Sequence, residues 1–533
     1  MRIIMAIIRK MKNWINVINT TIRPATSFYT FNSNDYSALN PDGSTLNTSI
    51  YQVTKTVTDN TDQQTITYTV KNVSANSVKP PRFRFTNFNW LNNGGTAVGG
   101  ANPLTRIFYP DATGIVMAMS TSESGPANFQ NQWYRQRGSN YGINAPCVAA
   151  SSSNRTIGIS ATNFDMCQIL NFGGYYFDFE YGVALGSDMY PTYLKPNETK
   201  TYTFFIRATK GTGDAACIEV WKPMLDWLKA NKPFVHHTTK FEGLILGDNV
   251  AGTTRYGLPV TTPRKYFTFN GIRADTATGF KQFLYAVLDT YGGATYLKSL
   301  GYRGLMLWAM SGWTSTNYSP GTYQNLPANL KNTVHEIAEF EAETGIKLFL
   351  YYGYAGRYYQ ANDGNYDSPV IDTLVTRYTT SNYPPLLNPA DNNWDTYSFR
   401  PGFIDSITYN ILPGLQYSSG IDMDFGPNSE FETPAEEQLY LVLRNAYPNK
   451  LIFVETSPTL LTMRNTCPHF FNINLNKRNA LLDYLVPEYQ AIYQLAQSPT
   501  SEAGKVEFNT VLGLKYIPLT VGQLIDLPNP WRT

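Results

Sequence analysis

The stretch Ser419–Phe425 (SGIDMDF) sets two carboxylates, Asp422 and Asp424, into a short run of otherwise small or apolar residues. In an extended strand, residues two apart share one face, so both carboxylates point the same way. Runs of similar character lie on either side: Gly243–Gly247 (GLILG), Arg303–Met310 (RGLMLWAM) and Ile346–Tyr354 (IKLFLYYGY) before it, Lys450–Glu455 (KLIFVE) after it. Ala480–Glu488 and Val506–Leu519 are further strand candidates. Helical patterns alternate with these runs, over Gly279–Leu300 with a break at Gly292-Gly293, then Leu326–Thr344, Phe403–Leu415 and Pro434–Ala446. Strands apolar throughout, alternating with helices, are the mark of a parallel α/β fold. No G-x-G-x-x-G or P-loop follows the first strand, which disfavours a nucleotide-binding doubly wound sheet. From Gly243 to the end the chain is close to the roughly 250 residues of a TIM-type (β/α)8 barrel, with room for an Asn/Tyr/Asp-rich insertion over 355–400. Seven strands can be counted and an eighth is assumed; an open α/β sheet is the alternative.

Upstream the period changes. Ser49–Val57, Thr65–Val70, Arg82–Trp90, Thr156–Ser160, Gly174–Val183 and Thr199–Arg207 alternate apolar and polar residues between turn signals such as Asn-Asn-Gly-Gly and Pro-Asn-Glu. Many short alternating strands indicate an antiparallel β-sandwich. Cys217–Asn231 (CIEVWKPMLDWLKAN) reads as a helical bridge. The expected chain is therefore multi-domain, β followed by α/β. It has an N-terminal arm over 1–45, a β-sandwich over 46–214, a helical linker over 215–240 and a barrel over 241–533.

Lys and Arg total 42 against 40 Asp and Glu, so the net charge is +2. That balance argues against nucleic-acid binding driven by charge and offers no polybasic membrane signal. Charged residues are 15%, below the roughly 25% of ordinary soluble domains, whereas aromatics reach 14%. Asn, Thr, Ser and Tyr supply the remaining polarity. No apolar run has the length of a membrane span. The run Ile3–Ile8 is too short for a signal-peptide core, so no location is fixed: the chain is cytoplasmic, leaves by another route, or is virion-associated if the source is viral. Four cysteines make no disulfide framework; separate buried thiols are expected, with a Cys147–Cys167 pair as the alternative.

In a barrel, chemistry sits at the C-terminal ends of the strands. Asp248 closes the first run, Trp308 lies in the second with Trp313 just after, and the third ends in Tyr352 and Tyr354 with Arg357 beyond. The fourth holds Asp422 and Asp424, the fifth ends at Glu455, and the sixth candidate ends near Glu488. Two carboxylates facing across a mouth are what glycoside hydrolysis requires, one as nucleophile or base and one as proton donor. Trp308, Trp313, Tyr352 and Tyr354 could stack on sugar faces, with Asp248 and Arg357 as further substrate-binding candidates. Plainer readings exist for each. Asp-x-Asp can cap a helix or bind a structural cation, Glu455 and Glu488 can serve helix starts, and Asp248 can belong to a turn. Tyr352 and Tyr354 can be ordinary core or rim residues. His236, His237, His335 and His469 have no metal-ligand spacing, so no metal and no organic cofactor is expected. A G-x-S-x-G elbow is missing, which disfavours a serine hydrolase.

The layout of sandwich, helical linker and barrel with an aspartate closing the fourth strand resembles retaining α-glycosidases of the α-galactosidase and α-glucosidase clan. That resemblance implies a nucleophile at Asp424 and a donor at Glu488, although those families use Asp as donor. Ser419-Gly420-Ile421-Asp422-Met423-Asp424-Phe425-Gly426 also resembles the fourth-strand signature of family 18 chitinases, Asp-Gly-x-Asp-x-Asp-x-Glu. Ser419 replaces its first Asp and Gly426 its catalytic Glu, so chitinase activity is not implied.

The expectation is a glycoside hydrolase acting on a poly- or oligosaccharide. Asp424 would be the nucleophile, tuned by Asp422, and Glu488, or else Glu455, the acid/base. The alternative is a carbohydrate-binding or structural component of a phage or virus particle, such as a tail or receptor-binding protein, with a degenerate barrel. The expected partner is a carbohydrate substrate or glycan receptor, with no nucleic acid and no membrane span. Self-association or assembly into a larger particle would suit either reading.

Overall fold

The computed structural model describes residues 19–23, 45–76, 78, 80–86, 106–111, 114–120, 145–164, 166–171, 176–181, 183–185, 188–190, 194–232, 234, 240–247, 268–269, 272–273, 279–307, 336–353, 415–424, 434–455, 460–471, 477–497 and 501–521. The N-terminal half forms two antiparallel sheets. One has four strands in the order Asn19–Arg23, Arg82–Thr86, Tyr176–Tyr181, Met166–Asn171. The other has eight, running Thr45–Asn47, Tyr51–Asp59, Gln63–Asn72, Thr199–Lys210, Arg155–Ala161, Cys147–Ser151, Arg106–Asp111, Gly114–Ser120.

Alternation drives this arrangement. In Gln63–Asn72, Ile66, Tyr68, Val70 and Asn72 are buried while the threonines between them are half-exposed. The buried faces of both sheets share one apolar cluster. The Phe204 ring of the larger sheet lies 5.0 Å from Phe83 and Phe85 and 5.4 Å from Phe179 of the smaller. Aromatic pairs at these separations add to the area they bury. Asn19–Arg23, read from sequence as part of an arm, is instead an edge strand paired with Arg82–Thr86.

The helix Asp214–Asn231 is more than a bridge. Ala216, Cys217, Val220, Trp221, Met224, Leu225 and Leu228 recur at helical spacing and are all buried. They share a cluster with Phe108 and Ala149 of the larger sheet and with Leu481, Leu482, Phe508 and Tyr516 of the C-terminal half. Gly158 permits the contact, since a Cβ there would stand 2.3 Å from Val220 Cγ2. Lys477 ties the two halves further, donating to Ile115 O and to Asp214.

The C-terminal half is a closed barrel of eight parallel strands: Leu244–Gly247, Tyr302–Leu307, Lys347–Gly353, Gly420–Asp424, Leu451–Glu455, Cys467–Phe471, Ile492–Gln494 and Ile517–Val521. The first pairs with both the second and the eighth, which closes the ring. Ile245, Met306, Phe349, Leu451, Phe453, Cys467, Ile492, Ile517 and Leu519 fill its interior. Burial pushes the Cys467 thiol up to about 12, so it is a neutral part of this filling. Cys147, Cys217 and Cys467 are all free and buried.

Five of the eight strands agree with the sequence reading. Ala480–Glu488 does not: Ala480–Leu485 is a helix, and its start is capped by the Asn479 side chain accepting from Leu481 N and Leu482 N. Val506–Leu519 divides into the end of the helix Glu502–Gly513 and the start of the eighth strand. The sixth and seventh strands, Cys467–Phe471 and Ile492–Gln494, were absent from that reading. No helix among the described residues is long and apolar enough to cross a membrane.

Candidate functional site

The fourth barrel strand is the core of the site. Gly420 begins it where no side chain fits, because a Cβ would stand 2.3 Å from Leu451 O and 3.0 Å from the Phe349 ring. This close approach packs the fourth strand against the third and fifth. Asp422 follows, fully buried, and its Oδ2 lies 2.6 Å from His469 Nδ1 on the sixth strand, equally buried. The two atoms share one hydrogen bond, whose donor depends on the imidazole tautomer. Among the described residues Asp422 Oδ1 has no hydrogen-bond partner. Breaking a buried pair by removing one partner costs about 3–5 kcal/mol, because a charge or dipole is left uncompensated.

Asp424 is the last residue of its strand and Glu455 the last of the next. The two strands run in register up to Met423 and Val454, so these carboxylate positions are the next rung. Gly353 on the third strand is level with Asp424, and His469 on the sixth is level with Glu455. One rung at the C-terminal edge thus carries Gly353, Asp424, Glu455 and His469 in consecutive strands. Neighbouring strands lie about 4.8 Å apart.

Glu488 is elsewhere, which corrects the expectation that it closes a strand facing Asp424. It precedes the seventh strand, which begins at Ile492, and so belongs to the N-terminal end of the barrel. Its exposed carboxylate pairs with Lys240 at 2.5 Å, ahead of the first strand. The misreading of 480–488 as a strand produced this error. Tyr352 lies in the third strand, its side chain outside the described atoms. Asp248, Trp308, Trp313, Tyr354 and Arg357 lie outside the described residues.

Sequence reasoning missed His469, which was weighed only as a metal ligand. Its usable signal was position: Cys467–Phe471 places it mid-strand between buried apolar residues, where a histidine needs a polar partner. Among the described residues, no group of three or more His, Cys, Asp or Glu is placed to hold a metal ion.

No protein family and no curated protein matches the chain. Solved structures that overlap it include a maltogenic amylase from S. marinus, 11% identical over 95% of this chain and 80% of that one, TM-score 0.32. Another is a glucosidase II alpha subunit, 11% identical over 88% of this chain and 56% of that one, TM-score 0.39. A polysaccharide lyase overlaps 39% of this chain and 27% of its own at 9% identity, TM-score 0.20. The chain therefore spans about a quarter of the lyase and just over half of the glucosidase subunit. At such identities and TM-scores these overlaps carry no argument about activity.

Proposed function

We propose that the protein is a glycoside hydrolase acting on a poly- or oligosaccharide at the C-terminal mouth of its barrel. The observation that carries this reading is the register of the fourth and fifth strands, which end side by side in Asp424 and Glu455. Two carboxylate-bearing residues on adjacent strand ends are what a retaining glycosidase requires, with its carboxyl groups roughly 5–5.5 Å apart. In this mechanism Asp424 attacks the anomeric carbon while Glu455 protonates the departing oxygen. Glu455 then takes a proton from the water that cleaves the glycosyl–enzyme bond. Asp422 supports the site from one step deeper in the strand. Asp248, Trp308, Trp313, Tyr352, Tyr354 and Arg357 are assigned to sugar binding. The two facing N-terminal sheets are assigned as a β-sandwich domain over 46–214, joined through 215–240 to a catalytic domain over 241–533.

Asp424→Asn should reduce hydrolysis of a good substrate to background while the circular dichroism spectrum stays that of the wild type. An unchanged rate in that variant removes the assignment. The second reading, a non-catalytic glycan-binding or structural component of a phage or virus particle, draws on Gly426 standing where the chitinase-type signature carries its acid. Glycan-array binding without hydrolysis of any bound glycan would select it.

A further inference from the structure

We infer that His469 is a positioning residue that acts through Asp422 to hold the two reacting carboxylates in relative place; this rests on the glycosidase reading above. The Asp422–His469 bond reaches from the fourth strand to the sixth and therefore spans the fifth, whose end is Glu455. Asp422 lies two residues before Asp424 on the same strand, and His469 is level with Glu455. The pair thus links the fourth and sixth strands on either side of the fifth, and so brackets the two strand ends that the mechanism uses. Both side chains are fully buried. Asp422 Oδ1 has no partner among the described residues, which leaves His469 Nδ1 as the one described hydrogen bond that orients this carboxylate. The strand ends can shift when it is lost, and a misplacement of about 1 Å can cost about 100-fold in rate.

The test is steady-state kinetics on a cleaved oligosaccharide for the wild type, His469→Leu, His469→Asn, Asp422→Asn and the His469→Leu/Asp422→Asn double variant, all well below their unfolding temperatures. His469→Leu should lower kcat by about 100-fold with KM changed far less. His469→Asn, whose Nδ2 is bonded to Cγ as the imidazole Nδ1 is, should recover most of that loss. It also keeps the test open if the leucine variant fails to fold. The double variant should lose no more than the worse single variant, because the two residues act as one unit. Losses that multiply, or a kcat unchanged in folded His469→Leu, would overturn the inference and leave the glycosidase reading standing. A wild type that cleaves no glycan overturns the glycosidase reading, and this inference with it.

Discussion

The two ends of the barrel use polar side chains in opposite ways. At the N-terminal end they are spent on the backbone. Glu341 accepts from Leu348 N, Ser419 N and Ser419 Oγ and so clamps the entries to the third and fourth strands. Buried Arg444 donates to the carbonyls of Asn465, Pro448 and Lys450, joining the entries to the fifth and sixth. Gln490 both donates to and accepts from the Phe241 backbone before the first strand. Near the C-terminal end, Asp422 and His469 bond to each other rather than to main chain, and the next rung carries two more carboxylates in adjacent strands. Groups that close backbone at one end give stability. Carboxylates on adjacent strand ends contribute no such backbone bonds, and the proposed function assigns them to chemistry.

Variants of the closed end should therefore cost stability and spare chemistry. The largest loss is expected for Arg444→Met. It strips both donors from the buried Asn465 carbonyl, at about 1–3 kcal/mol for a group left unsatisfied, and one donor each from the more exposed carbonyls of Pro448 and Lys450, and urea denaturation would measure it as a lowered midpoint. Gly420→Ala comes next. Its methyl group would meet Leu451 O, which is main chain and cannot swing away, so overpacking of about 1–3 kcal/mol is expected by the same measurement. The smallest effect belongs to Glu488→Gln. Its ion pair with Lys240 is solvent-exposed, and such pairs contribute about 0–1 kcal/mol. A loss above that range would show that the lower rim is more than a solvated surface.

The same contrast explains what the sequence could disclose. Long apolar strands such as Lys347–Gly353 and Leu451–Glu455 announce themselves because both faces are buried, and the barrel followed from them. Ile492–Gln494 has three residues, too few for any periodicity. Cys467–Phe471 carries a proline and a histidine that break the apolar pattern, although both fit a strand whose polar group has a buried partner. Ala480–Leu485 is apolar enough to pass for a strand, and only the Asn479 cap marked it as a helix. That one error moved the proposed acid to the wrong end of the barrel. The Asp-x-Asp alternation was legible because strand geometry fixes it locally, whereas the Asp422–His469 bond joins residues 47 apart in sequence and needs the closed barrel to exist.

The most direct test sets the two ends against each other in one assay. Glu455→Gln and Glu488→Gln would be compared with the wild type for hydrolysis of a panel of polysaccharides and oligosaccharides, with folding checked by circular dichroism. The account predicts an active wild type, an equally active Glu488→Gln and a Glu455→Gln variant reduced to background. Activity that survives in Glu455→Gln, or disappears in a folded Glu488→Gln, would contradict it.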